Sequence, residues 1–270
     1  MENGRNRSIS LSHSLSEAFC PQQEYLKRIV GLRDHEKYDY AKGHLGETIA
    51  YAWLNNERTG ASMVSLKEAG LQKLNALQNE MEYEDHRRLT DKFDDILEGV
   101  TRYCQSIDYT PVHLSKRFKL RALGFTRLIS GEMDIVAERN GPLVIDLKVQ
   151  EKPLEMKSFK AWKQGWVRQL VLYSMAWMTM NNSDTPPQLE IHVIVFGQDP
   201  QRFTVTATED LMYTVFDNLH NLNLRLDADY WPMNREHNLC SQRFCHVYGY
   251  CHQHNHLNKE NILDRLNISV

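Results

Sequence analysis

The chain lacks any apolar run approaching a membrane span, any internal repeat and any low-complexity tract. A bilayer crossing takes about 20 consecutive apolar residues, so no membrane partner is expected. The polar start, MENGRNRSISLSHS, has none of the apolar segment of a secretory leader. A cytoplasmic location is therefore expected. The Asn-x-Ser triplets at Asn6, Asn181 and Asn267 then carry no weight as glycosylation sites. A strong excess of one charge is also missing. The formal net charge of −3 excludes a polycation and leaves any nucleic-acid contact to a local patch. Proline and glycine are sparse, at 8 and 13 among 270 residues, and no Gly-, Ser- or Pro-rich stretch cuts the chain. No Walker A motif is present, so any motor is another polypeptide.

What is there reads as one globular domain, 41% hydrophobic and 25% charged. Pro21 is placed to open a short helix carrying Tyr25, Leu26 and Ile29. Residues 43–55 read as a second helix, and residues 65–107 as two or three charged ones. Strand patterning takes over between Val112 and Val149. A long helix over 157–181 follows, then strands at Leu189–Phe196 and Arg202–Thr206 and a helix at Glu209–Leu226. The tail from Tyr230 is irregular. The order predicts an α/β fold with a helical part at 1–110, a mixed sheet flanked by helices at 111–228, and a cysteine-rich tail at 229–270.

The stretch GEMDIVAERNGPLVIDLK, Gly131 to Lys148, carries the chemistry. MDIVAE and PLVIDLK read as two strands joined by a turn at Arg139-Asn140-Gly141-Pro142. Such a hairpin brings Asp134 near Asp146. Side chains alternate along a strand, so Asp146 and Lys148 share a face while Leu147 points away. Two carboxylates beside an ammonium form a hard oxygen site for Mg²⁺ or Mn²⁺, suited to phosphodiester hydrolysis. Lys148 would position or help deprotonate the attacking water, or stabilise developing negative charge. An isolated Asp-x-Lys is common by chance, and the rest of the chain has to support it.

The following helix sets Trp162, Trp166, Gln169 and Tyr173 on one face. Gln169 is the odd member of this otherwise aromatic stripe. A buried amide needs partners or costs about 1–3 kcal/mol, and a lysine, a carboxylate or a phosphate would serve. The order Gly131-x-x-Asp134, Asp146-x-Lys148 and Gln169-x-x-x-Tyr173 resembles the RecB-type branch of the PD-(D/E)xK nucleases. The resemblance implies a restriction-endonuclease-like core and metal-dependent cleavage of DNA. In it Asp134 and Asp146 are metal ligands, Lys148 is the catalytic lysine, and Gln169 with Tyr173 forms the helix motif on the DNA side. The family also carries Gly-x-x-x-His on an upstream helix. Here Glu47 stands four residues after Gly43, where the histidine is expected, and His44 is the competing third ligand.

Five cysteines are present, at Cys20, Cys104, Cys240, Cys245 and Cys251. Three lie close together in a histidine-rich tail, which points to a metal or cluster rather than disulfides. Cys20-Pro21 with three C-terminal cysteines is similar to the iron–sulfur members of this family, among them CRISPR-associated RecB-like exonucleases and AddB-type nuclease domains. That similarity implies a [4Fe–4S] cluster on Cys20, Cys240, Cys245 and Cys251. It would hold the first helix to the tail in a structural role. Zinc is the rival, on the tail cysteines and one of His246, His252, His254 or His256. Cys104 reads as a core residue.

Leu114–Ala122 is expected to be a strand with Arg117, Lys119 and Arg121 on one face, either binding DNA phosphates or protecting a sheet edge. The resemblance implies a metal-dependent DNA exonuclease for single-stranded or free-ended DNA, working with a helicase, CRISPR or recombination partner. A nucleic-acid-binding adaptor on the same fold and a zinc-bearing interaction module are the alternatives.

Overall fold

The computed structural model describes residues 9–10, 35–59, 65–155, 164–228 and 251. The expected Pro21 helix lies outside them. Among them, helices α1 (Tyr38–Thr59), α2 (Leu66–Leu77), α3 (Tyr83–Asp91) and α4 (Phe93–Gln105) precede the main strands. The strands are β1 (Ile9–Ser10), β2 (Thr110–Leu120), β3 (Ile129–Glu138), β4 (Pro142–Gln150), β5 (Gln188–Val195) and β6 (Gln201–Val205). Helix α5 (Gln164–Asn181) joins β4 to β5, and α6 (Glu209–Asp227) follows β6. The expected helix over 43–55 starts earlier, at Tyr38. The charged segment from Ser65 resolves into three helices, α2 opening on the Ser65 side chain as N-cap.

The strands form one mixed sheet in the order β1-β3-β4-β5-β6, with β2 paired to β3. β4 and β5 run parallel across the α5 connection; the other pairings of the main strands are antiparallel. β2 occupies one edge of β3 along its length. The opposite edge is divided, with β4 pairing at 135–138 and β1 at Ile129 and Ser130. Helices cover both faces, as a parallel pair buried on two sides requires. Leu143, Ile145, Leu147 and Val149 of β4 enter the core beneath α1, α2 and α4. Val144, with Ile191 and Val193 of β5, enters the core beneath α5 and α6. Both strands therefore read as near-continuous apolar runs, and a charge among them is conspicuous.

A buried polar chain fastens the β3–β4 turn to β5. Arg139 Nη2 donates to Glu190 Oε1 at 2.5 Å, and His192 Nε2 donates to Glu190 Oε2 at 2.7 Å. Tyr103 of α4 reaches His192 Nδ1 at 3.2 Å and Tyr109 at 2.7 Å. The bonds from His192 and Arg139 hold the Glu190 carboxyl down at about 2, while burial keeps His192 neutral. A carboxyl depressed on folding gives stability that is present above its unfolded value of 4.5 and lost as pH falls through about 2. Glu190→Gln is thus expected to cost about 2 kcal/mol at neutral pH. Urea melts across the acid range should show that deficit vanish as the wild-type carboxyl protonates.

Candidate active site

The β3–β4 hairpin turns where Asn140 and Gly141 take φ of 54° and 128°, the backbone region an Asn-Gly pair supplies most readily. From there the ladder runs from Glu138 opposite Pro142 to Ile135 opposite Ile145, and stops. The next residue on each strand is Asp134 and Asp146. Beyond them β4 continues beside β5 to Gln150, while the facing edge of β3 is open until β1. The two acids therefore sit in the crotch of a fork, where side chains can point between diverging strands.

Their environment is dry and tightly bonded. Asp134 Oδ2 accepts the Leu147 N–H at 2.8 Å. Asp146 is fully buried, and its Oδ1 accepts from Lys148 Nζ at 2.8 Å. Asp146 Oδ2 is buried with no donor. The Asp134 carboxyl lies within hydrogen-bonding reach of the Asp146 carboxyl, and two carboxyls satisfy each other only through a shared proton or a cation. Burial and then the charge of Asp146 push the Asp134 carboxyl well above its ordinary range. Burial likewise raises Asp146, against the opposing pull of Lys148. Lys148 is 19% exposed. Burial alone would lower its ammonium, but Asp146 and Asp134 outweigh that and raise it, so it stays charged.

Helix α1 delivers the third acid. A Cβ at Gly46 would lie 2.7 Å from the Val149 side chain, so α1 packs directly on β4 at this point. The next residue is Glu47. Its carboxyl is raised by burial and feels Lys148, His44, Asp146 and Glu132. His44 lies on the outer side, 54% exposed, with Nδ1 on Glu36 at 2.5 Å. Of the two rival residues, Glu47 is the one buried toward Lys148. Tyr51 stands one turn further along α1. Its hydroxyl interacts with Ser115, and its proton is held strongly by burial and by the charges of Asp134 and Glu47. Ser115 takes φ of 51° in the middle of β2, at the position opposite Asp134 where the ladder skips a pair. A non-glycine residue in that region is uncommon and marks local strain.

Helix α5 covers the fork from the other face. The Trp166 ring centre lies 5.8 Å from Lys148 Nζ. Gln169, one turn on, donates to Tyr173 Oη at 2.7 Å. The partner of the amide is therefore the tyrosine of its own motif. Tyr173 is 1% exposed and meets the Phe118 ring edge-on at 6.1 Å. Phe118 in turn lies over Gly131, where a Cβ would come within 2.5 Å of the ring. The glycine of the Gly-x-x-Asp motif and the tyrosine of the helix motif thus share one aromatic contact. Tyr173 holds Gln169 in place, and only Gln169 retains partial exposure to meet a substrate. Trp162 lies outside the described residues.

The basic strand alternates as expected: Arg117 and Lys119 are exposed and Phe118 is buried. Arg117 ion-pairs with Glu132 at 2.9 Å. Arg121 is exposed one residue beyond the end of the strand, so it belongs to the following loop. Cys104 is buried in the α4 core and Cys251 is half-buried. Cys20, Cys240 and Cys245 lie outside the described residues, as do His246, His252, His254 and His256.

No group of three or more His, Cys, Asp or Glu side chains among the described residues forms a closed metal cage. A Mg²⁺ site does not need one. Mg²⁺ takes one or two protein carboxylates and completes its shell with water and phosphate oxygens. The orphaned Asp146 oxygen beside the Asp134 carboxyl fits that requirement, with Glu47 as the further acid.

No family model matches the chain, and no curated protein matches it in sequence. Solved structures do match its architecture. A candidate exonuclease from Eubacterium rectale superposes with a TM-score of 0.50 at 12% identity, over 82% of this chain and 80% of its own. The likeness is one of overall fold. A second structure, SSO0001, covers 86% of this chain and 93% of its own at 11% identity, but its TM-score of 0.39 carries no weight. At such identities the likeness speaks for the architecture alone. No described helix is long and apolar enough to cross a membrane.

The sequence reading missed Tyr51 and Ser115. Tyr51 was accessible in principle, four residues after Glu47 and so on the same helix face. Nothing local in the sequence marks Ser115 as strained.

Proposed function

We propose that the protein is a Mg²⁺- or Mn²⁺-dependent deoxyribonuclease acting as an exonuclease on single-stranded or free-ended DNA. The observation that supports this most is the buried Asp146 carboxyl, one oxygen of which has no donor, beside a second carboxyl at the fork with an ammonium alongside. Asp134 and Asp146 would hold the ion, with Glu47 as a third ligand. Held by those residues, a divalent ion would supply water activation and neutralisation of phosphate charge. Lys148 would position or help deprotonate the attacking water, or stabilise the developing phosphate charge. Gln169, braced by Tyr173, hydrogen-bonds the DNA backbone, and Arg117, Lys119 and Arg121 neutralise phosphates along it. The DNA comes from a helicase, CRISPR or recombination partner.

The test is digestion of oligonucleotides labelled at either end, with Mn²⁺ or EDTA, beside Lys148→Ala and beside an RNA of the same sequence. Metal-dependent shortening of DNA by the wild type is the expected result. No cleavage by the wild type in Mn²⁺ or in a parallel Mg²⁺ reaction, or equal cleavage by Lys148→Ala, overturns the reading.

For the cysteines we infer a structural [4Fe–4S] cluster on Cys20, Cys240, Cys245 and Cys251, on the strength of the sequence resemblance. Anaerobic purification is expected to give a brown protein with broad visible absorbance, about four irons per chain, and loss of colour in Cys240→Ala. A colourless protein containing zinc would contradict the cluster.

A further inference from the structure

The loop between β2 and β3, residues 121–128, is fastened rigidly yet presents a bare apolar tip. Phe125 packs edge-on against Phe216 at 5.2 Å and His220 at 5.4 Å on α6. Thr126 Oγ1 donates to Asp227 at 2.6 Å, and Arg127 pairs with Asp227 at 3.3 Å and donates to the Leu226 carbonyl at 3.2 Å. The Phe125 N–H closes a turn onto the Ala122 carbonyl at 3.2 Å, with Gly124 at a φ of 83°. Leu123 stands at the corner of that turn, 97% exposed. A lone exposed leucine on a mobile loop means little. This one is held by three successive anchored residues and flanked by the exposed cations Lys119 and Arg121, which have no ion-pair partner among the described residues.

We propose that Leu123 is a wedge that meets the terminal base pair of duplex DNA and parts it ahead of the fork. Apolar side chains unstack base steps in this way when the backbone behind them is rigid and the phosphates are held by cations. The loop joins β3 at Ile129, five residues before Asp134, which is about 17 Å along a strand. That corresponds to about five base steps of 3.4 Å, room for a parted strand to run along the basic edge to the acids. The wedge rests on the nuclease reading and deepens it: a free duplex end becomes a substrate without prior melting.

The test compares a blunt duplex with its isolated strand, using wild type and Leu123→Ala. Because Leu123 is bare, its truncation leaves the fold intact. The variant is expected to digest the single strand at the wild-type rate and the duplex at least about tenfold more slowly. A binding arm is independent of cleavage. In Lys148→Ala, a duplex with 2-aminopurine at its terminal pair brightens on binding, and with Leu123→Ala added it stays dim. Leu123→Ala matching the wild type on both substrates, equal losses on both, a wild type that digests the single strand but leaves duplex uncut, or no brightening overturns the wedge. Brightening without any wild-type cleavage would overturn the nuclease reading and leave the wedge standing.

Discussion

Asp134→Asn is expected to make the metal-free protein more stable while eliminating its metal-dependent cleavage. The asparagine oxygen can still accept the Leu147 N–H that now reaches Asp134 Oδ2. Its amide would supply the donor that Asp146 Oδ2 lacks. Satisfying one buried acceptor and removing a like charge is worth about 2 kcal/mol. The pH dependence gives the sign. Asp134 and Asp146 are both raised on folding, so their contribution to stability is full below the unfolded carboxylate value of 3.8 and is lost as pH rises through their folded values. The metal-free wild type should therefore weaken as pH climbs out of the acid range, and Asp134→Asn should flatten that slope. Mn²⁺ should restore the wild type at neutral pH and do little for the variant. Thermal melts over a pH series with and without Mn²⁺ check all of this. A variant less stable than the wild type at neutral pH without metal would contradict the shared-proton description of the fork.

Lys148→Ala is expected to have the opposite effect on stability and a similar effect on catalysis. Its ammonium is the hydrogen-bond donor to the fully buried Asp146. Removing it strands a carboxylate in a dry site, at a cost of about 3 kcal/mol. Asp146 then gains a proton more readily, so the penalty should shrink as pH falls. Cleavage should drop by about 10²–10³, the usual loss when one preorganised charge donor is removed. The pair of variants is informative together, because one stabilises, the other destabilises, and both lose most of their cleavage. A merely structural role for the cluster would tie activity to stability instead.

The hairpin was legible because its signals are local. Asn140-Gly141 marks the turn, and alternation puts Asp146 and Lys148 on one face, which the 2.8 Å contact between them bears out. The stripe of Trp166, Gln169 and Tyr173 was legible for the same reason, from helical spacing. The fork itself was not. Where the ladder stops depends on β4 parting from β3 while it continues beside β5, a long-range event no local pattern encodes. The partner of Gln169 was expected to be a lysine, a carboxylate or a phosphate, and it is Tyr173. Tyr173 itself was expected on the DNA side and is buried against Phe118, because the glycine at 131 makes room for that ring. Arg121 falls off the strand because β2 ends at Leu120, and the loop behind it is tied to α6 rather than continuing the sheet.

The measurement that bears most directly on the fork is Mn²⁺-dependent shortening of end-labelled DNA by wild type and Asp134→Asn, both shown folded by their melts. A divalent site at Asp134 and Asp146 predicts rapid, EDTA-sensitive shortening by the wild type and a loss of about 10³ or more in the variant. Shortening by the variant at the wild-type rate would contradict it.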